Sequence, residues 1–258
     1  GIEGVFHNNF FKIKYDKKNI NRVFLIYRLK SNDIQHEIKK LAGTSTIPDL
    51  THGDFYSLDV AFPEIKEQER IADILSTWDK AVESYGKLLE EKKERKKGLM
   101  QLLLTGEKRL GGFTGSWKEV RLGDIFSIPN KKEVIDPEIN KIITVRLHRK
   151  GVFTGLQNET LSLGATKYYY RRSGQFIYGK QNIFNGAFGL VPKELDMCYS
   201  SADIPSLDFK DGLVVPKYID YYFSRKSIYR RLESRAIGTG SKRLHESEFL
   251  KIEIILPS

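Results

Sequence analysis

The chain has 258 residues, 40% hydrophobic and 12% aromatic, enough to pack a core, which excludes a disordered polymer. A formal net charge of +10 points to a polyanionic partner, and the single Cys198 excludes an internal disulfide framework or a cysteine-based zinc site. No apolar run approaches the ~20 residues of a membrane span and no signal peptide is visible, so a cytoplasmic protein without membrane contact is expected.

In chain order, residues 1–63 read as the first copy of a unit that returns in 196–257. At an offset of 195, Gly43-Thr44-Ser45 falls on Gly238-Thr239-Gly240 and Ile26-Tyr27 on Tyr221-Tyr222. With one residue dropped, Phe55–Pro63 falls on Phe249–Pro257. Such a period is too long for a solenoid and indicates a duplicated domain. The chain is expected to begin inside one copy and to stop where the second copy would start its own helix. Within the first copy, the alternation Ser57-Leu58-Asp59-Val60-Ala61-Phe62 predicts a strand ahead of Pro63.

The next segment, 64–105, predicts one long helix. Its apolar positions step by four and three through Ile71, Leu75, Trp78, Val82, Tyr85 and Leu89, and the register resumes at Leu99 and Leu103. Gly106 supplies a stop. Glu64, Glu67 and Glu69 gather near the start and Lys92, Lys93, Arg95, Lys96 and Lys97 toward the end, as the macrodipole favours. A stripe this narrow and this long calls for a second helix in coiled-coil register. The alternative is a surface helix lying on its own domain. The Lys cluster reads as a solvated face or, less simply, as a phosphate contact.

Residues 106–258 read as a complete α+β domain of short strands and helices. Trp117–Phe126 opens it, and β-type runs follow at Ile142–Val145, Gly174–Tyr178, Gly186–Val191 and Ile252–Leu256, with one helix from Lys217 through about Ala236. This segment holds 25 Lys+Arg against 17 Asp+Glu, a net +8, whereas 64–105 has nine of each and 1–63 nine against seven. The nucleic-acid contact is therefore expected here. Candidate DNA-binding residues are Arg146, His148, Arg149 and Lys150 in a loop after a strand, and Lys167, Tyr169, Arg171 and Arg172 around a tyrosine run. Lys180, Gln181 and Asn182 on a glycine-rich connection and Lys242 and Arg243 in a turn complete the set. Arg and Lys can read guanine edges or hold phosphates, and Asn and Gln can read adenine edges. Each segment alone also fits an ordinary solvated basic loop. In a strand, Tyr168 and Tyr170 face one way and Tyr169 the other, so at least one tyrosine is expected in the core.

Catalysis within the chain is not expected. Gly174-Gln175-Phe176-Ile177-Tyr178-Gly179-Lys180-Gln181 nearly spells a phosphate-binding loop, but Gln181 stands where a hydroxyl must hold magnesium, and Phe176-Ile177-Tyr178 is strand-like. His7, His36, His52, His148 and His245 have no metal-ligand spacing. No nucleophile elbow and no Asn-Pro-Pro-Tyr signature of amino-methyltransferases occurs, and the nuclease-like Glu91-Lys92-Lys93 sits on the charged helix.

Several segments resemble the DNA-specificity (S) subunit of type I restriction–modification systems. They are Trp117…Arg121-Leu122-Gly123-Asp124-Ile125, Arg172–Lys180, Asn185–Pro192, Ser200-Ser201-Ala202-Asp203, and Gly238-Thr239-Gly240-Ser241…Leu244…Ile252–Pro257. The most specific is the helix start Phe62-Pro63-Glu64-Ile65-Lys66-Glu67-Gln68-Glu69-Arg70-Ile71-Ala72. The resemblance implies target-recognition domains of short strands and helices joined by a long coiled-coil spacer helix, here with a partial second copy of the domain. Each domain would read half of a bipartite duplex DNA target. Methyltransferase (M) subunits that bind S-adenosylmethionine would dock on the paired helices, and ATP-driven restriction (R) translocase subunits would join them. The chain itself would hold no cofactor. It departs from the family pattern at both ends, so helix 64–105 is expected to pair with the same helix of a second chain, or the chain is a shortened form. Rival readings are a specificity module of a type II-like restriction–methylation system and a non-specific DNA-binding coiled-coil scaffold.

Overall fold

The computed structural model describes residues 12–43, 49–155, 166–210 and 212–257; His7 and the Thr44-Ser45 part of the repeat match lie outside them. The chain divides into two compact units between Lys93 and Glu94. The division falls inside one continuous helix, Ile65–Thr105.

In the first unit, α1 (Arg22–Lys30) starts at Asn21, whose Oδ1 accepts from the backbone N–H of Val23 and Phe24 at 2.9 and 3.0 Å. Next come α2 (Asn32–Leu41) and α3 (His52–Tyr56), the latter opened by a Thr51/Asp54 capping box. The long helix α4 spans Ile65–Thr105, about 60 Å at 1.5 Å per residue. Its start is fastened by Gln68, which is fully buried. Gln68 Nε2 donates to Asn19 O at 2.9 Å and Pro63 O at 2.7 Å, and its Oε1 accepts from Asn21 N at 2.9 Å. That geometry gives the helix-start motif a physical meaning: one amide ties three backbone positions together. The expected strand 57–62 does not form. Its counterpart in the second unit is half of a ladder, and no partner strand stands beside 57–62 among the described residues of the first unit. Unpaired strand backbone is better left to water.

In the second unit, α4 ends at Gly106, which has φ 79° and no room for a side chain, since a Cβ there would lie 2.8 Å from the Trp117 indole. Strand β1 (Trp117–Arg121) pairs antiparallel with β10 (Glu253–Pro257), Val120 opposite Ile254. The short helix α5 (Leu122–Ile125) leads to β2 (Phe126–Ser127). Strands β3 (Ile143–Arg146) and β4 (Gly151–Thr154) form a hairpin, and β5 (Tyr168–Tyr170) pairs with β8 (Tyr199–Ser201). Strands β6 (Phe176–Tyr178), β7 (Phe188–Leu190) and β9 (Ser206–Phe209) join β2 in a four-stranded sheet of order β2-β9-β6-β7. Helices α6 (Pro216–Ser224), α7 (Lys226–Arg231) and α8 (Glu246–Leu250) complete the unit. The single helix expected over 217–236 is broken, because Arg225 is extended (ψ 122°) and a 3₁₀ turn, Leu232–Arg235, follows α7. With that break, Tyr222, Tyr229 and Leu232 all reach the core.

The repeat is visible in the elements. Shifting α1 and α2 by 195 places them on α6 and on α7 with its following turn, and α3 lands on α8 with a shift of 194. Phe176 is the hub of the main core, its ring centroid 5.5–5.9 Å from those of Phe126, Phe188, Phe223 and Phe249. A smaller core gathers Tyr168, Tyr170 and Tyr199 with Val134 and Ile142, so the even-numbered tyrosines face inward as strand alternation requires. The near-phosphate-loop is also explained: Phe176-Ile177-Tyr178 is a buried strand, with no free backbone amides to cradle an anion.

The candidate nucleic-acid interface

The structure brings three of the basic segments of the second unit, 146–150, 180–182 and 242–243, together around the connection after β6. In the β3–β4 hairpin, Arg146, His148 and Lys150 are exposed and line a cleft of about 480 Å³ with Asn182. The Arg146 guanidinium lies 4.6 Å from the Phe153 ring centroid. Lys180 N–H donates to Asp203 O and Leu244 N–H to Lys180 O, both at 2.9 Å, so the 180–182 segment is held between the turn after β8 and the segment carrying Lys242 and Arg243. Arg243 faces Asp203 at 3.4 Å and Lys242 pairs with Glu233 at 3.0 Å; both cations are at the surface. Lys167 is exposed and bonds Glu133 at 3.1 Å, which raises its pKa. Tyr169 is half-buried, Arg172 and Asn182 are exposed and Gln181 is half-buried.

Three candidates spend their cations on the protein itself: Arg171 and Lys180 are buried, and Arg149 is half-buried. Arg171 is 2% exposed. Its Nε donates to Ser200 Oγ at 2.7 Å and its Nη2 to Ile204 O at 3.2 Å, so it staples the turn after β8. Burial pushes its pKa down to about 10, which leaves it charged at neutral pH. Lys180 is buried against Glu246, with Nζ–Oε2 at 2.9 Å. Burial opposes ionisation of Glu246, but the Lys180 hydrogen bond and the charges of Lys180 and Lys131 outweigh it and hold the carboxyl below its ordinary value. Arg149 spends its guanidinium on Phe188 O and Asp220 Oδ1, both at 2.6 Å. A cation withdrawn from water must be paired or multiply hydrogen-bonded, and the buried Arg171 and Lys180 and the half-buried Arg149 all are.

Other cations were missed by the sequence reading. Lys131 lies 3.5 Å from Glu246 and 6.0 Å from the Tyr169 ring centroid, and Lys132 lies 5.8 Å from that of Tyr170. Lys132 and Arg172 both line a second cleft, about 660 Å³, together with Tyr170 and Asp208. The adjacency of Lys131 and Lys132 was the only sequence signal, and they stand far from the tyrosines they join.

The stripe of α4 is uncovered where the register is cleanest: Trp78, Val82 and Tyr85 are 68, 70 and 73% exposed. Leu75, Leu89 and Leu99 are exposed too, whereas Ile71 and Leu103 are half-buried. The alternative of a helix lying on its own domain therefore fails over the middle of its length.

A sequence profile of the Type I restriction modification DNA specificity domain matches residues 2–93 and 115–258. The Type I restriction enzyme MjaVIII specificity subunit of Methanocaldococcus jannaschii is 22% identical over 279 aligned residues, covering 100% of this chain and 64% of that protein. The putative MjaX specificity subunit of the same organism is 33% identical over 98 residues, 38% of this chain and 23% of that one. Among solved structures, the type I restriction–modification S subunit from M. genitalium superposes with a TM-score of 0.55 at 18% identity, covering 94% of this chain and 63% of that chain. A second, from work on assembly and conformational transition of the type I R-M system, gives 0.51 at 16%, covering 95% and 61%. At such identities the likeness is one of fold. The chain spans less than two thirds of the length of the relative and the structures that match it throughout. With the domain profile matched over 2–93 and 115–258, most of its length, the chain belongs to the type I restriction modification DNA specificity domain family.

Proposed function

We propose that this chain is a sequence-specific DNA-recognition component of a type I restriction–modification complex. The observation that carries the reading is the combination of the family match with the basic, loop-built surface around residues 146–150 and 180–182. The second unit would read half of a bipartite duplex target. The exposed stripe of α4 would receive a second helix, from another copy of the chain or from a longer form, and a methyltransferase subunit would dock on the pair. The two identical readers of such a dimer would favour a two-fold symmetric target. Transfer to the target adenine, with S-adenosylmethionine, and ATP-driven translocation would belong to M and R partner subunits, in the cytoplasm. In that arrangement the chain is not itself an enzyme, and each half of its target–partner chemistry is separable.

The test is a selection from random duplex DNA by the purified protein, alone and with its cognate methyltransferase subunit. The expected product is a split motif with an unread gap, palindromic if the α4 dimer forms. Equal recovery of all duplexes, with one salt dependence common to them, refutes sequence reading and leaves a non-specific scaffold.

A further inference from the structure

The β3–β4 hairpin closes through Leu147-His148-Arg149-Lys150, with Lys150 N–H donating to Leu147 O at 3.2 Å and the two central residues at φ 57° and 60°. Positive φ at both central positions marks a type I′ turn, which ordinarily takes Asn-Gly or Gly-Gly. Here both positions carry full side chains, in a region such residues rarely enter.

The surroundings over-determine that conformation. His148 N–H donates to Asn185 O at 2.9 Å and Arg149 N–H to Gly186 O at 3.0 Å. The Arg149 guanidinium stacks 4.4 Å from the Phe188 ring centroid while bonding Phe188 O and the buried Asp220. Gly186 has φ 79°, and a Cβ there would stand 3.2 Å from Arg149 N and 3.4 Å from His148 Cα. The Asn185-Gly186 motif is thus the seat of the hairpin tip. Backbone strain held this firmly is a sign of function.

The seat holds out free chemistry. His148 and Lys150 are exposed and make no side-chain hydrogen bond or ion pair among the described residues. Behind Asn182, Arg230 Nη1 donates to Asn185 Oδ1 at 3.2 Å and Asn185 Nδ2 to Asn182 Oδ1 at 3.4 Å. That relay fixes the Asn182 amide and leaves its N–H groups for a ligand. A two-stranded ribbon is narrow enough for the major groove, where each base pair shows a distinct pattern of donors and acceptors.

We propose that the β3–β4 turn is the preorganised base-reading element of this unit. His148 and Asn182 hydrogen-bond base edges, and Arg146 and Lys150 hold the flanking phosphates. Arg149 is a positioning residue that acts through Asp220 and does not touch DNA. The proposal rests on the DNA-reading function above.

The experiment measures equilibrium binding of the full chain, with its methyltransferase subunit, to the selected duplex and to a scrambled one across a salt series. His148→Ala and Asn182→Ala are each expected to lower the target-to-scrambled affinity ratio on the order of 5- to 150-fold, with the salt slope unchanged. Lys150→Ala weakens both duplexes alike and reduces the slope by about 0.9. Arg149→Ala and Asp220→Asn, from opposite sides of one ion pair, lower the ratio as His148→Ala does and leave the slope alone. Partial unfolding removes binding to both duplexes by one factor, so it cannot imitate a changed ratio. A slope reduced by about 0.9 in Arg149→Ala overturns the positioning role, and an unaltered ratio in His148→Ala and Asn182→Ala overturns the base reading. If the unsubstituted protein shows no preference, the proposed function itself fails; if it does and the variants keep it, only the hairpin assignment fails.

Discussion

Arg171→Met separates a structural cation from a DNA contact in one protein. Methionine keeps most of the volume and removes the charge. The short Nε bond to Ser200 Oγ, 2.7 Å, is a charge-assisted hydrogen bond worth about 1.5–3 kcal/mol. The Nη2 bonds to Ser200, Ser201 and Ile204 carbonyls, at 3.2–3.4 Å, are weaker, but their loss leaves acceptors of the turn without a donor. Against this, the folded state no longer holds a desolvated guanidinium, which returns part of the cost. The net is a destabilisation of about 2–4 kcal/mol. Urea unfolding followed by tryptophan fluorescence reads it. The chain has two tryptophans, Trp78 and Trp117, so a Trp78→Phe background leaves Trp117 as the reporter of the second unit. The midpoint should fall with the m-value unchanged, and the salt dependence of DNA binding should keep its slope. A loss below about 0.5 kcal/mol together with a slope reduced by about 0.9 would instead identify Arg171 as an exposed cation on a phosphate.

Phe176→Ala removes the hub of the aromatic core and should cost about 3–5 kcal/mol in the same assay; a cost below about 1 kcal/mol means the rings repack around the gap. Glu246 has a folded pKa below its ordinary 4.5, so its contribution is complete above that value and is lost as pH falls through the folded pKa. Glu246→Gln should therefore flatten the acid side of the stability profile measured by urea midpoints, and an acid limb as steep as the original would show that other carboxylates set it. Val82→Asp with Tyr85→Asp, both on the uncovered stripe, should change the stability of the isolated chain by no more than about 0.5 kcal/mol per site. The same pair should abolish self-association in sedimentation; self-association that survives it, or a chain that stays monomeric at high concentration without it, rules out self-pairing of this chain through α4.

What the sequence determined by itself was whatever repeats within reach of a few neighbouring residues. The four-and-three spacing from Ile71 to Leu103 defines α4, because one helical face is set by local spacing. Alternation in Tyr168-Tyr169-Tyr170 marked which rings share a face and put at least one in the core, and self-similarity exposed the duplication that α1–α3 and α6–α8 display. Charge counting placed the basic surface in 106–258 but could not sort its members. Whether a cation meets solvent or the interior depends on residues brought from elsewhere in the chain: Ser200 lies 29 positions from Arg171, and Asp220 lies 71 from Arg149. The alternation over 57–62 gave no strand, since a strand also needs a partner along its edge. The left-handed turn at His148-Arg149 has no glycine to announce it, because its stability comes from a seat about 37 residues downstream. Local pattern fixes which elements can form; which side chains they bury, and which they leave free to meet a ligand, is decided only when distant segments close on one another and the desolvation of each polar group has to be met by a partner.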